Sequence, residues 1–423
     1  MKDTKPELLI PANCLEVLKV AVLYGADAVY IGGEMYGLRA RATNFSRADM
    51  AEGIKFAHAH GKKVYVTTNI TAHNRHLSGL VDYLKELSCL DVDEDGKPIR
   101  PDALIVSDPG VFTLAKEHAP EIDIHISTQA NNVNYLTYNF WHKLGATRVV
   151  SARELSLEEI KGIRENIPDE LEIETFVHGA MCISYSGRCL LSNYFTGRDA
   201  NLGACTHPCR WKYYVTEEKR PGEYLPVFED DDGTYIFNSK DLCMIEYIPE
   251  LVDAGINSFK IEGRMKTALY VAAVARTYRK AIDDFFEDPA LYRKNLELYR
   301  QEISKCTYRQ YTTGFFFNKP KADAQIYDSN VYVKDYTFFG IIYEITKDGY
   351  ALMEQRNKFC LGDVLEIMEP DGKNLSVKVL DMKDEEGNPI ESCPHPMQKF
   401  YVKFSELPKT FDLVRGPSKS GDN

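Results

Sequence analysis

Eight times in its first 280 residues the chain passes from a short apolar run into a segment of helical periodicity. The runs lie at residues 7–12, 28–32, 64–69, 103–108, 123–129, 147–154, 171–179 and 258–263. The segments between them carry proper helix punctuation. Ser46 is an N-cap for a helix that stops at Gly61, and Ser156 with Glu159 forms a capping box. Alternating strands and helices demand a parallel sheet covered by helices. Two such folds compete, an open doubly wound sheet and a closed (β/α)8 barrel. The count closes at eight, and no glycine-rich dinucleotide turn follows the first strand, so the expectation is a TIM-like barrel.

The repeat is broken once. Nearly eighty residues, about 180–257, separate the seventh strand from the eighth, and this insertion falls on the face where barrels place their chemistry. After about residue 330 the texture changes to short β-rich runs such as YTFFGIIYEI and KFYVKF, divided by turn signals. The expected organisation is therefore a barrel over 1–329, a small all-β domain over 330–415 and a disordered tail over 416–423.

Charge narrows the function. The 51 basic residues are outnumbered by 63 acidic ones, a net charge of −12. A non-specific nucleic-acid binder is usually basic, so any RNA contact must use a local patch. No apolar run is long enough to span a bilayer, and the first residues lack the apolar core of an export signal, so a cytoplasmic protein without membrane contact is expected.

Five of the ten cysteines fall within 62 residues, at 182, 189, 205, 209 and 243. In a reducing compartment such clustering suggests metal before disulfides. Four soft thiolates suit zinc or an iron–sulfur cluster, and spacing does not choose between them. Cys182, Cys189, Cys205 and Cys243 are the preferred ligands, with Cys209 the alternate for Cys205.

The segment ETFVHGAMCISYSGRCLLS closely resembles the signature of the collagenase-like peptidase family U32, matching at Glu174, Phe176, Gly179, Cys182, Gly187, Cys189 and Ser192. ELLIPA, VYVTTN, the run from Ser127, CRW at Cys209, NSKDLC at Asn238 and KIEGRMK at Lys260 look like further family blocks. The resemblance implies a barrel with a cysteine-bound 4Fe–4S cluster. It also implies oxygen-independent hydroxylation of tRNA wobble uridine, with prephenate as oxygen donor. The implied partners are the tRNA anticodon region, prephenate and a second protein of the family.

There is no H-E-x-x-H or G-x-S-x-G motif, and a Cys182–His178 dyad is the one hydrolytic arrangement in view. A peptidase, and a zinc-bearing RNA-binding module without chemistry of its own, are the alternatives. Prephenate has two carboxylates and calls for arginines. Arg39, Arg41, Arg75 and Arg264 follow strand ends and, with Asn69, are the candidate substrate-binding residues. Gln129, His178 and Glu262 are the candidate catalytic residues. Tyr36, Tyr185, Phe195 and Trp211 are candidates to stack on an extruded base.

Overall fold

The computed structural model describes residues 4–37, 44–182, 184–211, 214–215, 225–226, 238–319, 325–326 and 335–418. Eight parallel strands close on themselves. They are β1 (Glu7–Pro11), β2 (Ala28–Ile31), β3 (Lys63–Thr68), β4 (Ala103–Val106), β5 (Asp123–Ile126), β6 (Arg148–Val150), β7 (Glu172–Ala180) and β8 (Ser258–Ile261). Each pairs with its neighbour in chain order, and β8 pairs with both β7 and β1. The expected caps are present: Ser46 accepts from the Asp49 N–H, and Ser156 and Glu159 cap each other's backbone.

The pleat sorts the side chains. Outward residues such as Leu8, Ile10, Val29, Val64, Leu104 and Ile173 pack beneath the helices. Inward residues include a small apolar set, Leu9, Ala28, Tyr30, Tyr65, Ala103 and Ile105. Beside it lies a buried ionic network. Arg148 donates to Glu7, Glu172 and Glu174, and Lys260 pairs with Glu174 at 2.6 Å. The barrel interior is thus polar as well as packed.

The insertion begins after β7. Its last part belongs to the barrel proper, because helix Ile248–Asp253 leads into β8. Before it, a short strand at Asp241–Cys243 runs antiparallel to the end of β7.

The C-terminal region forms a second, closed barrel of six antiparallel strands. These are β9 (Tyr336–Ile345), β10 (Ala351–Glu354), β11 (Val364–Met368), β12 (Asn374–Lys383), β13 (Lys399–Phe404) and β14 (Leu413–Pro417), in the order β9-β10-β13-β12-β11-β14. Gly416 and Pro417 pair with β9, which corrects the expected tail: the last strand holds them because their backbone groups complete the closure. Residues 419–423 lie outside the described residues. The two barrels are locked together by buried polar contacts. Tyr24 donates to the Met368 carbonyl at 2.6 Å, and Arg276 to the carbonyls of Glu369 and Lys373. Arg415, wholly buried, pairs with Glu302 at 2.8 Å.

Candidate functional site

A cavity of about 1210 Å³, counted to its open mouth, sits at the C-terminal strand ends of the first barrel. Its floor and walls come from β2 to β8 and the turns that follow them, with Tyr30, Asn69, Gln129, Arg153, Lys260, Glu262 and Arg264 among the lining residues. The insertion forms its roof. Four cysteines, Cys182, Cys189, Cys205 and Cys209, line the roof side together with Tyr185 and Gly187.

Cations and amides dominate the barrel side. Arg264 is buried and donates to Thr67 Oγ1 and Asn44 Oδ1, both at 3.2 Å. Arg153 donates to Glu262 at 3.2 Å and lies over the Phe176 ring. Lys260 reaches the cavity from below, held by Glu174. Asn69 donates to Ser127 Oγ at 3.1 Å, and Gln129 to Thr71 Oγ1 at 3.2 Å. Each amide is thereby oriented before any ligand arrives.

Arg264 depends on a glycine. A Cβ on Gly32 would stand 2.0 Å from an Arg264 guanidinium nitrogen. Gly32→Ala is therefore expected to leave the fold intact but swing Arg264 out of place. A small dicarboxylate used as a probe should then bind roughly tenfold or more weakly, a loss on the order of 1.4 kcal/mol. Titration of that probe against both proteins checks this, and unchanged affinity would show that Arg264 does not hold the anion.

The roof is tied to the barrel at two places and braced within itself at a third. Gly187, at φ 74°, packs so close to Gln129 that a Cβ would lie 2.7 Å from its Cγ. The Thr71 N–H donates to the Asn201 carbonyl at 3.2 Å. Ser192, wholly buried, accepts from the Thr206 N–H at 3.1 Å and so holds the Cys205 loop to the helix Leu191–Thr196. The Cys205 sulfur itself accepts the His207 N–H at 3.4 Å. An N–H aimed at sulfur favours the thiolate form that a metal needs. Among the described residues, no three His, Cys, Asp or Glu side chains converge closely enough to hold a metal ion. The four thiols share one cavity wall without forming a ready-made single-ion chelate.

Several expectations are redirected here. Gln129, Glu262, Asn69 and Arg264 line the cavity as anticipated, whereas His178 does not. Register explains this: β7 pairs with β8 through Lys260 opposite Phe176, then Ile261 opposite His178, skipping Val177. Such a bulge turns the next side chain to the other face. His178 therefore sits outside the barrel, enclosed by Tyr270, Tyr278 and Tyr311. Burial, reinforced by the charge of Lys266, pushes its pKa down to about 3. The Cys182–His178 dyad is not assembled. The unfolded chain protonates this histidine near its ordinary pKa of 6.5, while the folded chain resists until about 3. Stability is expected to fall as pH drops across that window and to level off below it. Urea denaturation at pH 7 and pH 4.5 should show a smaller acid loss for His178→Phe than for the wild type.

Cys243 is the second departure. It lies opposite His178 in the short strand that borders β7. Burial raises its thiol pKa to about 12, and it contacts the Tyr278 hydroxyl rather than the cavity. The structure groups Cys209 with the other three in its place. Arg75 is exposed at the start of helix Asn74–Ser88, beside His76, and is not on the cavity wall. Tyr36 packs against Tyr83 instead of the cavity. Arg39 and Arg41 lie outside the described residues. Lys260 was missed as a cavity group, although alternation along β8 places it on the inward face with Ser258, which was the available signal.

Two family profiles cover nearly the whole chain. Peptidase family U32 matches residues 13–326, and the Peptidase family U32 C-terminal domain matches residues 334–415. The chain is 42% identical over 403 residues to the tRNA hydroxylation protein P1 of Bacillus subtilis, covering 95% of this chain and 92% of that protein. It is also 42% identical to the tRNA hydroxylation protein P of Escherichia coli, covering 97% and 95% of the two chains. The 23S rRNA 5-hydroxycytidine C2501 synthase of Escherichia coli is 35% identical, over 77% of this chain and 47% of its own length. Among the described residues, no helix is long and apolar enough to cross a membrane.

Proposed function

Because the chain belongs to peptidase family U32, we propose that it hydroxylates RNA and does not cleave peptide bonds. Its proposed substrate is the wobble uridine of tRNA, its oxygen donor prephenate and its cofactor a 4Fe–4S cluster. One observation carries the reading: a single cavity brings four thiols to face two arginines, a lysine and two oriented amides. The relatives named for tRNA and rRNA hydroxylation support the same reading.

The donor set suits the cluster. Four soft thiols and a backbone N–H on one sulfur are the ligation that an iron–sulfur centre uses. The ligands of a four-iron cluster stand further apart than those around one ion, so a dispersed set fits it better than it fits zinc. Cys182, Cys189, Cys205 and Cys209 would hold it. When bound, it supplies one-electron redox chemistry that no side chain offers.

The protein's own groups then have defined tasks. Arg153 and Arg264 present guanidinium groups to the two carboxylates of prephenate. Glu262 fixes Arg153 through their 3.2 Å contact. Asn69 and Gln129 offer an amide donor and acceptor to the edge of an extruded uracil. The roof, anchored through Gly187 and Asn201, holds the four thiols over the barrel's arginines and amides.

Anaerobic purification with iron, sulfide and zinc counts tests the first half. About four irons with four sulfides support the cluster, and zinc alone overturns it. Incubation with unmodified tRNA and prephenate, followed by nucleoside analysis, tests the second. Appearance of 5-hydroxyuridine that requires prephenate is expected. Its absence with a fully loaded protein would overturn the proposed reaction.

A further inference from the structure

The reading above leaves an acidic chain to bind a polyanion. The roof of the cavity resolves this locally. From residue 184 to 211 it holds three arginines, at 188, 198 and 210, against one acidic residue, Asp199, in a chain of net charge −12. Arg188 and Arg198 are exposed.

The same segment displays aromatic rings to solvent. Tyr194 is 83% exposed, Trp211 44% and Phe195 41%. They are contiguous: the Tyr194 and Phe195 rings are 5.1 Å apart, and Phe195 and Trp211 are 6.2 Å apart. The row joins the cavity at both ends. Arg188 adjoins Cys189, Trp211 lies two residues past Cys209, and both cysteines line the wall. Rings left in water are costly unless something covers them. Cations interleaved with stackable rings beside a base-sized cavity suit single-stranded nucleic acid better than a protein surface.

We propose that this roof is an RNA-docking surface, on which unpaired nucleotides flanking the target stack along Tyr194, Phe195 and Trp211 while Arg188 and Arg198 hold their phosphates. The inference rests on the RNA-hydroxylation reading and adds to it where the strand lies. Affinity then comes from a local patch, so the net charge of the chain does not oppose it.

The chain has two tryptophans, and Trp141 is only 6% exposed, so Trp211 reports the surface alone. An anticodon stem-loop RNA is titrated against the iron-loaded protein, following tryptophan fluorescence and anisotropy. Quenching is expected in the wild type and lost in Trp211→Phe. Tyr194→Ala should weaken binding roughly tenfold or more. Arg198→Glu should also weaken it and flatten its salt dependence. Both sites are exposed, and unchanged iron content and melting temperature show that each variant is folded. RNA binding unaffected by all three substitutions would overturn this inference while leaving the hydroxylation reading standing. No RNA binding at any salt concentration would sink both. Self-association abolished by Tyr194→Ala, with RNA affinity unchanged, would make the face a protein interface and also overturn the inference.

Discussion

Cys209→Ala is expected to strip the protein of its iron, as are Cys182→Ala, Cys189→Ala and Cys205→Ala, whereas Cys243→Ala should stay brown. The four thiols in the first group line the cavity, and the fifth is half-buried beside β7, off the cavity wall and against the Tyr278 hydroxyl, where desolvation favours its protonated form. A thiol whose pKa stands near 12 is a poor source of thiolate at neutral pH. Losing one of four ligands from a cluster usually abolishes assembly, so the expected change is from about four irons per chain to near zero. Hydroxylation should vanish with the iron. Cys243→Ala should cost only packing and the Tyr278 contact, on the order of 1–2 kcal/mol, with spectrum and iron unchanged. Iron counts on the five anaerobically purified variants decide the matter. A brown Cys209→Ala beside a colourless Cys243→Ala would restore Cys243 as the fourth ligand. It would mean that the strand at Asp241–Cys243 shifts toward the cavity when the cluster forms.

The largest stability effect is expected inside the barrel. Arg148 is 2% exposed, and one of its partners, Glu174, is fully buried. Arg148→Met removes the cation that neutralises Glu7, Glu172 and Glu174 together. Lys260 is left as the cation at Glu174, beside the Ser258 hydroxyl. Breaking a buried ion pair from one side strands an uncompensated charge and costs about 3–5 kcal/mol. For a barrel of this size that is a fall in melting temperature on the order of 10 °C. The comparison is Lys5→Ala, which removes an ion pair to Asp283 whose side chains are 50% and 43% exposed. Such a pair is worth about 0–1 kcal/mol. Thermal melts of the two variants should differ severalfold in effect. Equal effects would show that the interior network contributes no more than a surface pair. The network also supports the site, because Glu174 holds Lys260 beneath the cavity.

Much of this was legible in the sequence. Periodicity located all eight barrel strands to within a few residues, since pleat and helix pitch impose their repeat on any chain that must bury one face. Ser46 and Ser156 announced their helices by local chemistry, which needs no tertiary context. The insertion, the small β-domain and the dense cysteines were visible for the same reason: each is a property of neighbours along the chain. Strand ends also yielded Asn69, Gln129, Glu262 and Arg264, because in a closed barrel every strand end faces the same side.

What the sequence left open depended on distances it does not encode. Five cysteines for four places left the ligand set open, and the antiparallel strand at Asp241–Cys243 pairs Cys243 with His178, away from the cavity wall that Cys209 lines. One skipped residue at Val177 moved His178 from the cavity to the helix layer. Periodicity cannot foresee that, because a bulge is decided by how two strands fit, not by either alone. Arg148 meets Glu7, 141 residues away along the chain, only because the barrel closes. Local order followed from the chain itself. Which side chains share a cavity was decided only when the sheet closed and the insertion folded over its mouth.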